Sequence, residues 1–245
     1  MNEYDYQPPN SNAHLFALND LEGRATMATV MVWITTAVYS ALSAAAVVAS
    51  WSPDTDATAL EMVAAMATVI LVFAFFAVFI AAGVTWARWV SRLYDNLNEI
   101  FGEFPETSRT MAVWGYIIPL VNLYAPYQFM KEAWVMTAPR ERASDMIDIK
   151  IWWGLWIGSA FLSQLEQRVF DELVGVSYLV FSLIDVGLFA AGALFAARVV
   201  KALTRFQVEL AAEREHAPSY PSPGNHGPNA SNHPSNHSGP PHMGW

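Results

Sequence analysis

The chain has 245 residues, of which 54% are hydrophobic and only 14% charged, and its formal net charge is −9. Soluble domains carry about 25% charged residues, so this composition predicts an integral membrane protein. The acidic balance, without any dense lysine or arginine cluster, excludes a nucleic-acid surface. The absence of cysteine excludes disulfides, thiolate metal sites and thiol nucleophiles.

Residues 1–24 read as a polar N-terminal segment. Met1 to Glu22 holds four acids and no lysine or arginine, so it lacks the basic start of a cleaved signal peptide. The next run, Ala25 to Ser52, is 28 uncharged residues and is expected to stay in the bilayer as a first span over 25–52. WSPDTDAT then supplies the proline, aspartates and threonine of a tight connection and a helix start. Met62 to Ala87, 26 uncharged residues, predicts a second span over 62–87. The stretch Thr110 to Met130 is also uncharged but carries Pro119, Asn122 and Pro126 in its middle. Interior prolines break the hydrogen-bond ladder on which a spanning helix depends. Ile151 to Leu165 is a shorter apolar run of 15, extended at helical pitch to about 166 as a third span. The fourth, over about 174–198, is interrupted only by Asp185. Residues 25–214 thus form the membrane domain. The tail 215–245, rich in Pro, Asn, Ser, Gly and His, predicts disorder.

The bases decide how the proline-broken stretch is threaded, because they collect at the cytoplasmic ends of spans. If it does not cross, Arg24, Arg88, Arg92, Arg109, Lys131, Arg140, Arg142, Lys150, Arg198, Lys201, Arg205 and Arg214 share one side, and Arg168 alone lies opposite. If it crosses, the best partition of the 13 bases is 8 to 5. The expected fold is therefore all-α, a polytopic helical bundle of four transmembrane helices. Segment 110–130 is re-entrant or interfacial, and both termini are cytoplasmic.

WARWVSRLYDNL from Trp86, then SRTMAVWGYIIPLVNLYAPYQFMKEAW from Ser108, then WWGLW from Trp152 form a pattern with a P-x-x-N-L-x-x-P-Y core. This pattern resembles the bacterial membrane proteins grouped as domain of unknown function 4328. The resemblance extends over roughly Ala25 to Gln207, about three quarters of the chain. It implies a multi-spanning protein of the bacterial inner membrane, and it brings no catalytic or ligand residues with it.

Asp185 is the first candidate functional residue, because a carboxylate near the middle of a span is costly and usually faces the bundle interior. Tyr178, Ser182 and Gly192 share its helical face, and Thr35, Thr36, Tyr39 and Ser40 offer hydroxyls at similar depth on the first span. Asn122, Pro119 and Pro126 are candidates as specialised backbone. Arg88, Arg92 and Arg109, beside tryptophans, are candidates for lipid headgroups, with ordinary anchoring as the competing account. Gly154 and Gly158 form a GxxxG, expected to serve packing inside the bundle. The tail histidines have no ligand-like spacing, and no catalytic, cofactor or metal motif occurs.

The expected role is a non-enzymatic interaction or accessory protein, with the bilayer and a membrane-protein partner or a second copy as partners. The alternative is a small transporter or channel component. Asp185 would then line a polar path with Asn122.

Overall fold

The computed structural model describes residues 11–49, 59–102, 105–116, 118–169 and 176–216. The predicted connection WSPDTDAT (51–58), the first ten residues and the tail beyond His216 lie outside the described residues. Seven helices follow in order: α1 Ser11–Ala49, α2 Ala59–Glu99, α3 Arg109–Trp114, α4 Pro119–Asn122, α5 Ala125–Thr137, α6 Ile147–Val169 and α7 Val176–His216. No strand occurs among the described residues, so the fold is all-α.

Three of these helices are long and apolar enough, by length and composition, to cross a membrane: Leu15–Ala49, Glu61–Glu99 and Tyr178–Glu215. The sequence anticipates four. α6 has 23 residues, enough for about 35 Å at 1.5 Å per residue. Its tryptophans, serines and glutamines hold its mean hydropathy down. It nevertheless runs alongside α7, antiparallel, with Asp148 near its start paired to Arg198 just past the middle of α7. α1 and α2 are antiparallel in the same way, since Asp20 near the start of α1 meets Arg92 near the end of α2. α7 runs with α2: Trp89 Nε1 donates to Thr204 Oγ1 at 3.2 Å, and Arg214 donates to the Phe101 carbonyl at 2.7 Å. One end of the bundle thus gathers the start of α1, the ends of α2 and α7, the start of α6, and α3–α5. It is called the basic end below, since all of the bases except Arg168 lie there.

The three longest helices exceed their apolar stretches at this end. At 39 and 41 residues they reach about 60 Å at 1.5 Å per residue, twice the roughly 30 Å of a hydrocarbon core. The excess is amphipathic. In α1 the helix begins at Ser11, inside the segment that reads as polar, because Leu18, Leu21, Ala25 and Ala28 make a buried stripe at helical spacing. In α2, Trp89, Val90, Leu93, Tyr94 and Leu97 are fully buried, and in α7 Val199, Val200, Leu203 and Phe206 face them. Phe129, Met130, Ala133 and Trp134 of α5 and Ile149 and Trp152 of α6 complete the core.

The opposite portion of the bundle has no such core. On α2, Met62, Val63, Met66, Val69, Ile70, Phe73, Phe76, Ile80 and Val84 are exposed. Burial of an apolar side chain is worth about 1.5–3 kcal/mol, and water-facing patches of this extent are rare. The protein-facing core at one end and the bare apolar helices beyond it fit a membrane protein.

Within the core, two amides are fully buried. Asn96 Nδ2 donates to Gln207 Oε1 at 3.0 Å, and Gln207 Nε2 donates to the Leu93 carbonyl at 2.9 Å. This bridge fixes the register of α7 against α2, since a slip of either helix would strand polar atoms in an apolar core.

Candidate functional site

The stretch 110–130 is not one helix. Ser108 caps α3, accepting from the Met111 amide at 3.2 Å. Pro119 stands at the first position of α4, and Pro126 lies in the first turn of α5. Both prolines therefore start helices, where the missing amide hydrogen has no intrahelical partner to lose. The chain between α3 and α5 folds back tightly at Gly115. A Cβ there would sit 2.5 Å from Phe129 Cε2 and 2.9 Å from the Met111 carbonyl oxygen. The two ends of the stretch meet. The Thr107 amide donates to Glu132 Oε1 at 3.2 Å, and Glu132 Oε2 lies 3.1 Å from the Tyr94 hydroxyl. A segment whose ends share one carboxylate returns to the level at which it began.

The aromatic side chains of this stretch divide. Trp114 and Tyr124 are exposed. Trp134 is core: its ring packs edge-on to Phe206, centroids 4.9 Å apart, and its Nε1 donates to the Arg142 carbonyl at 3.0 Å. That bond also ties down the turns between α5 and α6.

Asp185 lies on α7 about 20 Å from Arg198 at 1.5 Å per residue, well away from the basic end. It is 4% exposed and accepts a hydrogen bond from the Tyr39 hydroxyl of α1. The Tyr39 ring packs between Phe75 of α2 and Phe189 of α7, centroids 5.4 and 4.6 Å away. The other hydroxyls that the sequence brings to this depth are engaged within their own helix. Thr35, Thr36 and Ser40 donate to the carbonyls of Met31, Val32 and Thr36 at 2.8, 2.9 and 2.8 Å. Asp185 and Tyr39 thus join α7 to α1 at a point walled by aromatic rings.

A second feature stands between this lock and the basic end. A half-open cavity of about 630 Å³ is lined by α1, α2, α6 and α7 and by the turns of the proline-containing stretch. Its wall holds no charged residue and is largely apolar. Asn122 lines it, and so do Trp86 and Tyr116. Asn122 Oδ1 is buried without a hydrogen-bond partner, and the buried Trp86 Nε1 lies beside the equally buried Tyr116 hydroxyl oxygen. Burial pushes the Tyr116 phenol well above its ordinary value, and the neighbouring Trp86 N–H offsets this only in part. The Tyr116 hydroxyl is therefore neutral. Asp185 is not part of this wall, although its neighbours Leu188 and Phe189 are.

The three candidate arginines separate. Arg92 pairs with Asp20 at 3.5 Å and with Glu99 at 3.3 Å. Arg109 pairs with Asp95 at 3.1 Å. Arg88 is exposed, and its backbone carbonyl accepts from Arg24 at 3.1 Å. Gly154 and Gly158 do not serve close packing inside the bundle, since no atom lies within 4 Å of where their Cβ atoms would stand. Among the described residues no cluster of His, Cys, Asp or Glu could hold a metal ion.

These features define an all-helical membrane protein whose core and basic residues gather at one end. The chain belongs to the family described as Domain of unknown function (DUF4328), whose profile matches residues 52–205. That match is narrower than the resemblance read from the sequence, because it leaves out α1 and with it Tyr39. Neither a curated protein nor a solved structure matches the chain.

Proposed function

We propose that the chain is a four-span protein of the bacterial inner membrane with a non-enzymatic interaction or accessory role. α1, α2, α6 and α7 cross in alternation. The basic end, with α3–α5 and both termini, faces the cytoplasm. The distribution of the bases supports this placement, as does the contact of Thr107 with Glu132 across the ends of the proline-containing stretch. That stretch enters no deeper than the cavity it lines. The cytoplasmic portion would offer α5 and the folded turns of 138–146 to a partner.

The observation that carries the accessory reading over a transporter is the enclosure of Asp185. A transported ion would require a polar path from Asp185 to Asn122. Asp185 is bonded to Tyr39, whose ring packs on Phe189, and Asn122 lines an apolar cavity whose wall does not include Asp185. This supports a carboxyl group that holds helices together.

Cysteine substitutions in this naturally cysteine-free chain test the topology. A membrane-impermeant thiol reagent added to intact cells should label Pro53→Cys and Glu172→Cys, and should reach Gly102→Cys and Ala138→Cys only after permeabilisation. Labelling of Ala138→Cys from outside would overturn the four-span arrangement. For the role, Asp185→Asn should complement a deletion strain as well as the natural protein does. Loss of complementation at unchanged protein abundance would restore the transporter reading.

A further inference from the structure

We propose that Arg88 and Arg24 hold the phosphate of one anionic phospholipid at the basic end, with an acyl chain of that lipid lying along α2. The two arginines are the first charges met at this end of the uncharged runs 25–52 and 62–87. Folding sets them side by side, since Arg24 Nη1 donates to the Arg88 carbonyl at 3.1 Å. Their surroundings define the charge of the occupant. Asp20 accepts from Nε and Nη2 of Arg24 at 3.0 and 2.9 Å and lies 3.5 Å from Arg92, which also meets Glu99 at 3.3 Å. Three arginines thus face two carboxylates, an excess of one positive charge. The excess belongs to Arg88, which is exposed and pairs with no acid among the described residues. Arg24 is fixed in place by three of its five N–H groups and, partly exposed, keeps two for a ligand.

The apolar half of the site continues from Arg88 along the same helix. Val84, Ala81, Ala77 and Phe73 precede Arg88 by 4, 7, 11 and 15 residues, so all five share one helical face, and all are exposed. The small side chains of Ala81 and Ala77 lower this stripe between Val84 and Phe73. From Arg88 to Ala77 is about 16 Å at 1.5 Å per residue, the depth of one leaflet in a hydrocarbon core of roughly 30 Å. A free phosphate would engage the guanidinium groups and leave the stripe bare, whereas a phospholipid covers both. A phosphodiester carries the single negative charge that neutralises this corner, and its oxygens suit the planar fork of a guanidinium. A zwitterionic lipid would bring a positive charge back to the same place. The inference rests on the proposed membrane placement for the depth of the lipid. Binding is measured in micelles, so the topology and the site can fail separately.

The full chain in micelles of an uncharged detergent is titrated with phosphatidylglycerol, phosphatidylcholine and glycerol phosphate, and native mass spectrometry counts the molecules bound. Phosphatidylglycerol should saturate at one per chain. Phosphatidylcholine should bind about tenfold more weakly, and glycerol phosphate should neither bind nor compete. Arg88→Gln should weaken phosphatidylglycerol about tenfold, the worth of a hydrogen bond to a charged group. Lys201 controls for general attraction of anions. It is an exposed base of α7 at the level of Arg88, since Trp89 meets Thr204. Lys201→Gln should change the affinity by less than about twofold, because exposed charges apart from the site are screened. Equal binding of the two lipids, competition by glycerol phosphate, or equal losses in the two variants would overturn the proposal. Arg88 gives up no side-chain partner within the protein when it is replaced, and the three ligands decide the matter in the natural chain even if a variant fails to fold.

Discussion

Removing the Tyr39 hydroxyl measures what the α1–α7 lock contributes. Interhelical hydrogen bonds in bilayers average only about 0.6 kcal/mol, because the separated helices find other partners. A bond to a buried carboxyl group in a protein interior is worth about 1.5–3 kcal/mol. The structure favours the larger value. Asp185 is 4% exposed, and Thr35, Thr36 and Ser40 have already committed their hydroxyls to backbone carbonyls. Tyr39→Phe keeps the ring between Phe75 and Phe189 and deletes only the donor, so it should cost at least about 1.5 kcal/mol. Asp185→Leu alone should deprive the tyrosine hydroxyl of this acceptor. The double variant makes the contact wholly apolar and should be near neutral or more stable than the natural chain. Unfolding in mixed detergent–SDS micelles, run as a double-mutant cycle, reads the coupling directly. Additivity within about 0.5 kcal/mol would show that the two groups do not support each other.

Gly115→Ala should destabilise by about 1–3 kcal/mol through overpacking, because the new methyl would overlap the buried Phe129 ring at 2.5 Å; thermal unfolding in micelles checks it. Gly102→Ala should cost about 1–2 kcal/mol, since Gly102 has φ of 64°, a left-handed conformation that a Cβ disfavours. Gln207→Leu should cost about 1–3 kcal/mol by stranding Asn96, whose Oδ1 already lacks a partner, while Asn96→Leu together with Gln207→Leu should cost much less than the sum of the singles. In detergent micelles, Arg88→Gln should weaken binding of an added anionic phospholipid more than Arg92→Gln, because Arg92 is neutralised by Asp20 and Glu99.

The apolar runs were legible because a span needs only length and hydropathy, and the break-up of 110–130 was legible because Pro119 and Pro126 cannot stand inside a helix. Other features required three dimensions. The amphipathic ends of α1, α2 and α7 are hidden next to stronger apolar signals, although the spacing of Leu18, Leu21, Ala25 and Ala28 contains the stripe. The prolines read as breakers because sequence does not reveal that Ile118 and Tyr124 precede them as non-helical caps. Four hydroxyls on the first span stood as possible partners of Asp185. Only rotation about the helix axis selects Tyr39, and at i−4 spacing the shorter side chains prefer their own carbonyls. The cavity was not legible, since Trp86, Tyr116 and Asn122 come from separate elements and converge only on folding. The cluster Trp152, Trp153, Trp156 was its one signal in the sequence.

The extent of the family match separates what the two polar loci do. Trp86, Tyr116, Asn122, Trp152 and Gly192 all fall within residues 52–205, and so does Asp185, but Tyr39 does not. The lock therefore joins the family's helices to a helix that the match leaves out, while the polar end of the cavity is built from the family's own helices alone. A buried carboxyl group that fastens α1 in place has its hydrogen bond and needs no ligand. At the other locus the Trp86 N–H lies beside the Tyr116 hydroxyl and their rings pack edge-on, centroids 6.2 Å apart, so this contact between α2 and the turn after α3 is held wholly within the part that the family match covers.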